Sequence, residues 1–313
     1  MMKKIAKNIS KIGACIFSMD DLIKKSKHNI VLPFYHIVTD DSPIHIKNLY
    51  QPRSIEAFKT DLDFLVENFK SISLERLIEI NSGREVVSGK YFHLTFDDGL
   101  SEFYKIVAPI LKAKNVHATV FLNSEFMDNK KLFFRFKASI IYEKLKEDSI
   151  LNISYKDEHK LDMLADQNKI DFDTYLKEEQ PYLSTEQIKE LIAQGFTFGA
   201  HSKNHPLYKE LSLEEQLIQT KESLETIITK FRLKYKVFSF PFTDDGVSGA
   251  FFEEIARETS LTFGCAGLKE DTAKNHLQRI PMESNKSGKQ IIKEEYVYYL
   301  MKAKAGKNKI VRR

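Results

Sequence analysis

Two acidic residues stand side by side in the segment TFDDG, residues 95–99, at the end of an apolar run. Adjacent carboxylates repel each other, so this pairing needs a chemical reason. The segment HSKNHP, residues 201–206, supplies two histidines, His201 and His205. Two imidazoles and one carboxylate make three protein ligands, and a catalytic site of the zinc type leaves a further position open for water. The two segments together predict a hydrolytic metal centre.

We expect the two aspartates of this centre to have different roles. Asp98 joins His201 and His205 as a ligand, which leaves Asp97 free to take a proton from water. A metal lowers the pKa of its water from about 15.7 to about 7, and a positioned base adds about 10² to 10⁴ in rate. One carboxylate could not hold the cation and shuttle a proton at once, so the doubled acid has a chemical purpose.

Each motif has an ordinary explanation when it is taken alone. A lone Asp-Asp-Gly after a strand is more often a turn, and a lone H-x₃-H is more often a solvated loop. The chain also contains TDDG at residues 243–246, whose acids, Asp244 and Asp245, we interpret as a turn and the start of a helix. A site is favoured because TFDDG, HSKNHP and FSFPF (residues 238–242) each lie at the end of a predicted strand.

Apolar runs alternate with amphipathic stretches from residue 28 onward. The predicted strands are NIVLPFYHIV, YFHLTF, HATVFL, FTFGA, YKVFSF, LTFGCAG and LQRIPM. Most are apolar throughout, which is typical of parallel strands that are covered on both faces. This alternation predicts an α/β fold, and in a barrel of parallel strands the carboxyl ends gather at one rim.

Two capping boxes predict helix starts, one at Ser184 with Gln187 and one at Ser212 with Glu215. Further helices are predicted over residues 54–68, 101–114, 248–258 and 289–303. Residues 123–183, after HATVFL, are long and highly charged, and they predict a helical insertion. Both a lid over a site and a surface elaboration fit that composition.

The net charge of +4 is unevenly distributed. Residues 1–27 have an excess of five positive charges and residues 301–313 an excess of six, so residues 28–300 carry −7. We divide the chain into a basic N-terminal segment (1–27), one barrel domain (28–288) and a C-terminal helix with a basic tail (289–313). The basic ends are interpreted either as solvated tails or as a contact with an anionic membrane, where each basic residue adds about 1 kcal/mol.

The N-terminus begins like a secretory signal, but its apolar centre, IGACIFSM, is short and no small-x-small cleavage site follows. Cys15 and Cys265 are too few for a disulfide framework, and we interpret both as free thiols. These features predict a cytoplasmic protein, in contact with a membrane if the basic ends bind one, with secretion as the alternative. No nucleic-acid-binding motif accompanies the basic ends, so we expect no nucleic-acid partner.

The segments TFDDG, HSKNHP and FPF (residues 240–242) resemble the three leading motifs of the polysaccharide deacetylases, carbohydrate esterase family four, with the NodB homology domain. The resemblance spans roughly residues 28–285 and leaves the insertion unmatched. It implies a distorted (β/α)₇ barrel and the removal of acetyl groups from N-acetylated carbohydrates with a divalent metal. We expect Zn²⁺, with Co²⁺, Ni²⁺ and Fe²⁺ as alternatives, because nitrogen and oxygen donors accept all of them.

The resemblance also implies a role for individual residues. Asp97 would be the general base beside the three ligands named above. The opening VLPFYHIVTDD resembles the subgroup that deacetylates poly-N-acetylglucosamine, which implies His36 as the general acid. The backbone N–H of Phe242 would be the donor to the oxyanion.

The third motif departs from the pattern of the family. Ser239 stands in FSFPFT where many relatives have an arginine that orients the base, and Thr243 replaces a glycine. Arg279, near the end of LQRIPM, either takes over the orienting role or is a surface residue. The altered motif also permits a second hypothesis, a catalytically inactive glycan-binding relative that retains the barrel.

Overall fold

The computed structural model describes residues 10–312. The first nine residues, which hold three lysines of the predicted basic segment, and Arg313 lie outside the described residues.

The strands are β1 (Ile30–Val31), β2 (Pro33–Tyr35), β3 (Lys70–Ser71), β4 (Tyr91–Phe92), β5 (Leu94–Phe96), β6 (Ala118–Leu122), β7 (Thr197–Ala200), β8 (Val237–Ser239), β9 (Leu261–Gly264), β10 (Glu270–Asp271), β11 (His276–Gln278), β12 (Ile280–Pro281) and β13 (Lys309–Ile310). The helices include α1 (Met19–Ser26), α2 (Ile44–Lys47), α3 (Ile55–Asn68), α4 (Leu74–Asn81), α5 (Ala108–Ala113), α6 (Phe134–Leu145), α7 (Glu158–Gln167), α8 (Phe172–Glu179), α9 (Thr185–Ala193), α10 (Leu213–Phe231), α11 (Gly249–Ile255) and α12 (Gly288–Lys304).

Eight strands form one parallel sheet in the order β11-β9-β8-β7-β6-β5-β2-β12. Its two edge strands, β11 and β12, are neighbours in the chain and are separated only by Arg279. The amide of Arg279 donates to the carbonyl of Gly264 at 3.2 Å, and the amide of Ile280 donates to the carbonyl of Leu32 at 2.9 Å. Residues 276–281 therefore act as one bent strand that joins the two edges of the sheet. The predicted distorted (β/α)₇ barrel is confirmed.

The barrel strands are buried because helices cover their outer faces. All five residues of β6 and all four of β9 are buried. This burial is the reason that the sequence of these strands is apolar throughout rather than alternating. Each fully buried aromatic or aliphatic side chain contributes about 1.5–3 kcal/mol relative to an exposed one.

The helices begin and end close to the predicted residues. Both capping boxes are present, at Ser184 before α9 and at Ser212 before α10. The helix predicted over 101–114 starts as a π-helical turn, Phe103–Val107, before it continues as α5, and such turns are frequent near functional sites. Among the helices within residues 10–312, none is both long and apolar enough to cross a membrane.

The predicted insertion after β6 is helical and contains α6, α7 and α8. It has its own hydrophobic cluster, which packs against the loop that follows β2. The Ser139 hydroxyl donates to the carbonyl of Ile44 at 2.6 Å, and the side-chain amide of Asn48 donates to the Glu143 carboxylate at 2.9 Å. The insertion is thus held against one rim of the barrel.

The C-terminal tail is largely exposed, but strand pairing and the side chain of Arg312 attach it to the barrel. Strand β13 pairs in parallel with β10, and the side chain of Arg312 is only 6% exposed. The interpretation of this tail as solvated is wrong at Arg312, because that residue enters a buried acidic pocket.

Candidate metal centre at the barrel rim

Three side chains from two distant motifs meet at the rim formed by the carboxyl ends of the barrel strands. Asp98 Oδ1 lies 3.2 Å from Nε2 of His205 and 3.5 Å from Nε2 of His201. All three residues are buried, and their ligand atoms lie within 4.8 Å of one another. This spacing suits three ligands around one cation.

The cluster contains buried polar atoms that have no hydrogen-bond partner among residues 10–312, namely Asp98 Oδ1, His201 Nε2 and His205 Nδ1. Such atoms cost about 1–3 kcal/mol each when nothing satisfies them. The Nδ1–H of His201 donates to the carbonyl of Ser239 at 2.8 Å, so its Nε2 carries the lone pair that a metal needs. Two imidazoles and a carboxylate with an open position are a donor set that suits zinc. The residues therefore fit a divalent cation.

The rim loops hold several residues in the left-handed backbone region, which costs about 1–3 kcal/mol for a residue other than glycine. They include Asp98, Ser202, His205 and Phe242, whose φ angles are 70°, 67°, 62° and 57°. Gly99 follows with a φ of 66°, and a Cβ there would approach Leu122 Cδ2 to 2.6 Å. A glycine is therefore required after the paired aspartates, because a side chain would both strain the backbone and clash.

The serine of the second motif fixes the loop between the two histidines. Ser202 Oγ accepts a hydrogen bond from the amide of His205 at 3.0 Å. The side-chain amide of Asn123 donates to the carbonyl of His201. The backbone amide of His201 donates to the carbonyl of Leu122 at 2.8 Å, which extends the hydrogen bonding between β6 and β7. Both imidazoles are thus positioned by β6 and β7.

Asp97 lies beside the cluster and forms a bidentate ion pair with Arg279. Nη1 donates to Oδ1 at 2.8 Å and Nη2 donates to Oδ2 at 2.7 Å. The remaining donors of the guanidinium reach Thr95 Oγ1 at 2.9 Å, Ser239 Oγ at 2.7 Å and the carbonyl of Gly264 at 3.1 Å. All five N–H groups are satisfied. Arg279 is 1% exposed, so the alternative of a surface arginine is wrong.

The charge states around the cluster follow from burial and from these pairs. Burial alone would raise the pKa of Asp97, but Arg279, together with His201 and His36, outweighs that effect and the pKa is lowered. Burial would likewise raise the pKa of Asp98, but the neighbouring imidazoles of His205, His36 and His201 together lower it. Burial lowers the pKa of His201 to about 4. Both carboxylates are therefore ionised and His201 is neutral, as a ligand must be.

His36 lies on the same rim and is paired with Glu283. Nδ1 of His36 is 2.5 Å from Glu283 Oε2, and Oε1 accepts from the amides of His36 at 2.7 Å and Ile37 at 3.0 Å. Partial burial would lower the pKa of His36, but Glu283 raises it to about 10. The imidazole therefore keeps its proton at neutral pH.

Sequence reasoning missed Glu283, although a signal for it existed. Pro281 of β12 pairs with Phe34 of β2. The same register, continued by two residues along each chain segment, places Glu283 beside His36. The carboxylate also stands just after a strand, as the other rim residues do.

Aromatic side chains surround the cluster. The ring of Phe133, from the insertion, lies 4.5 Å from the His205 ring, and the ring of Phe242 lies 4.5 Å from it on another side. Phe242 is 40% exposed. The Tyr50 ring is 5.6 Å from His36, and its buried hydroxyl has no partner. The insertion therefore reaches the site and is more than a surface elaboration.

The second acid pair was predicted to be a turn and a helix start: the turn is present at Asp245 and Gly246, but the helix start is wrong. Helix α11 begins at Gly249 and is capped by Ser248. Asp244 is instead 2% exposed and accepts hydrogen bonds from the amide of Cys265 at 3.2 Å and the side chain of Gln278 at 2.7 Å. Its carboxylate is an anchor inside the protein.

A parallel barrel carries at its rim an Asp-His-His cluster that could hold a metal ion, with a separate buried carboxylate beside it. The family model described as polysaccharide deacetylase matches residues 84–262, more than half of the 313 residues. The chain belongs to the polysaccharide deacetylase family. A comparison with curated protein sequences finds no match.

Solved structures share the fold at low sequence identity. A deacetylase, PplD, from Streptococcus pyogenes in complex with acetate is 19% identical with a TM-score of 0.58, over 85% of this chain and 97% of that one. IcaB from Ammonifex degensii is 17% identical with a TM-score of 0.57, over 86% and 97%. A de-N-acetylase from Aggregatibacter actinomycetemcomitans is 16% identical with a TM-score of 0.55, over 83% and 97%. This chain therefore has the polysaccharide deacetylase fold along most of its length.

The cluster predicts one tight zinc site per chain. Changing His205→Gln should lower zinc affinity by at least about 100-fold, since even residues that only orient a ligand contribute 10- to 100-fold. A second group, Asp244, Asp271 and His276, could also hold an ion, but the guanidinium of Arg312 already binds both of its carboxylates. Equilibrium dialysis with zinc measures both affinity and stoichiometry.

His159→Gln is the matched control for this measurement, because His159 is exposed on α7. It should bind zinc as the unchanged chain does. Two zinc ions per chain, or full affinity in the His205→Gln variant, would contradict the assignment of the site.

Proposed function

We propose that this chain is a metal-dependent deacetylase that hydrolyses the acetamide of an N-acetylated sugar in a polysaccharide or glycan precursor. One observation carries the proposal: a buried carboxylate, Asp97, is held ionised by Arg279 beside a cluster of three candidate ligands. Membership of the polysaccharide deacetylase family and the acetate-bound deacetylase among the neighbours support it.

Attack on the acetyl group depends on the groups at the rim. A divalent cation held by Asp98, His201 and His205 would polarise the acetyl carbonyl and lower the pKa of water. Asp97 accepts the proton of the water molecule whose oxygen forms a bond to the carbonyl carbon. The backbone N–H of Phe242 donates to the carbonyl oxygen as negative charge develops there. Arg279 keeps both oxygens of Asp97 in place during the transfer.

Departure of the amine needs an acid, and His36 is the protonated group on this rim. As the carbon–nitrogen bond breaks, His36 donates its proton to the leaving nitrogen, which gives the free amine and acetate. Glu283 binds Nδ1 of His36, so the ring presents its other nitrogen to the substrate. The carboxylate also keeps the imidazolium protonated above neutral pH, because it raises the pKa to about 10.

The first test of this function is Asp97→Asn in zinc-loaded protein. We expect kcat for acetate release from N-acetylglucosamine oligomers to fall by about 10² to 10⁴, the usual contribution of a positioned base. Asp245→Asn is the control, because that acid also belongs to an Asp-Asp-Gly segment but its side chain is exposed. An unchanged chain that binds the oligomers and zinc but releases no acetate would contradict the proposal and would favour the glycan-binding alternative.

The second test concerns the proton of His36. In the unchanged protein the alkaline limb of the kcat profile should lie near pH 10, where His36 loses its proton. In Glu283→Gln, the carboxylate that raises the pKa of His36 is absent, whereas burial still lowers this pKa. The alkaline limb should therefore move to or below about pH 6.5. Activity would then persist at pH 6 and be lost at pH 8.

Glu67→Gln, at an exposed position of α3, is the control for the pH measurement and should leave the profile unchanged. If Glu283→Gln kept the alkaline limb of the unchanged protein, His36 would not be the acid.

A further inference from the structure

The loop that follows β8 carries the proposed oxyanion donor and exposes several of its residues to solvent. Phe242, Thr243, Asp245 and Gly246 are exposed or half-exposed, whereas Asp244 is 2% exposed. Phe242 also has a φ of 57°. A strained residue persists only where the surrounding structure fixes it. The position of Phe242 therefore depends on how Asp244 is held.

Asp244 is held from several directions, and Arg312 is the partner that binds both its backbone and its side chain. Its carboxylate accepts from the amide of Cys265 at 3.2 Å and from Gln278 at 2.7 Å, and it contacts His276 Nε2 at 3.1 Å. Arg312 Nη1 donates to the backbone carbonyl of Asp244 at 2.6 Å, and Nη2 donates to its carboxylate. Arg312 thus links the C-terminal tail to the loop that follows the third motif.

Arg312 is itself fixed by the tail and by a second acid. Its Nε donates to Asp271 Oδ1 at 3.1 Å and its Nη2 to Asp271 Oδ2 at 2.7 Å. The guanidinium also lies over the ring of Phe252 at 4.6 Å. Strand β13 pairs with β10, which carries Asp271. Without the guanidinium, two buried carboxylates would face each other with no arginine between them, and the loop would have to move.

Movement at Asp244 would be transmitted directly to the catalytic rim. Cys265, whose amide binds Asp244, also directs its Sγ to the carbonyl of Phe242 at 3.5 Å. The ring of Phe242 in turn lies against His205 at 4.5 Å. An oxyanion donor is effective only when it is placed in advance, and a shift of about 1 Å can cost 10²-fold in rate.

We propose that Arg312 is a positioning residue for the reaction: through Asp244 it fixes the loop that presents the Phe242 N–H to the substrate. This inference rests on the proposed function. Arg312 touches neither the substrate nor the metal ligands. Its contribution should therefore appear in kcat rather than in KM or in zinc affinity.

The experiment compares Arg312→Ala, Arg312→Lys and Lys309→Ala as full-length, zinc-loaded proteins. Arg312→Ala should lose about 10- to 100-fold in kcat with little change in KM or zinc affinity. Arg312→Lys keeps the charge but lacks the planar fork that reaches both acids and a carbonyl, so its loss should be intermediate. Lys309→Ala removes an exposed ion pair with Glu270 from the same tail and should retain full kcat.

A rescue measurement separates positioning from general destabilisation. Millimolar guanidinium ions should restore part of the kcat of Arg312→Ala, because they can occupy the vacated pocket between Asp244 and Asp271. They should not restore Asp97→Asn. If Arg312→Ala does not fold, Arg312→Lys is the deciding variant under the same measurements. Unchanged kcat in a folded Arg312 variant would overturn the inference.

A fluorescence measurement tests this inference independently of the proposed function. If the unchanged protein released no acetate from any N-acetylated sugar, the proposed function would fail, but the anchoring could still be measured. The chain contains no tryptophan, so Phe242→Trp reports on the loop alone. Adding Arg312→Ala should shift the emission to longer wavelength and lower its anisotropy. An unchanged spectrum and anisotropy would overturn the anchoring as well.

Discussion

The buried ion pair between Arg279 and Asp97 is the interaction on which the rest of the site depends. Taking a guanidinium and a carboxylate out of water is costly, and removing one partner of such a pair costs about 3–5 kcal/mol. The pair is tolerated here because every donor of Arg279 has an acceptor and because the rings of Phe34 and Phe121 lie near its guanidinium, at 4.3 and 5.6 Å. A carboxylate held in this way stays ionised inside the barrel.

The bend between the two edge strands of the barrel explains how an arginine reaches that position. Arg279 lies between β11 and β12, where the chain ends its pairing with β9 and begins its pairing with β2. At this bend the side chain enters the barrel and meets Ser239, the residue that stands where many relatives have the orienting arginine. The small serine leaves room for the guanidinium. The arginine is thus supplied by the bend between β11 and β12, and it binds both oxygens of the Asp97 carboxylate.

The sequence predicted the strands and the ligand cluster because both depend on local patterns. TFDDG and H-S-x-x-H follow strand ends, and parallel strands bring such ends to one rim. Glu283 was not predicted, because its role depends on the register between β12 and β2. Arg312 was missed because a basic tail resembles solvated sequence, whereas its position is set by pairing with β10. Asp244 was misinterpreted for a related reason: its partners are distant in the chain, and an Asp-Asp-Gly segment alone does not reveal them.

The most direct measurement of the central claim is the kcat of Arg279→Met with and without Ser239→Arg. We expect Arg279→Met to lower kcat by about 10²-fold or more, because the general base loses its orientation. Returning an arginine to position 239 should recover at least part of this loss. A folded Arg279→Met protein with the kcat of the unchanged chain would contradict the claim that this arginine orients the base.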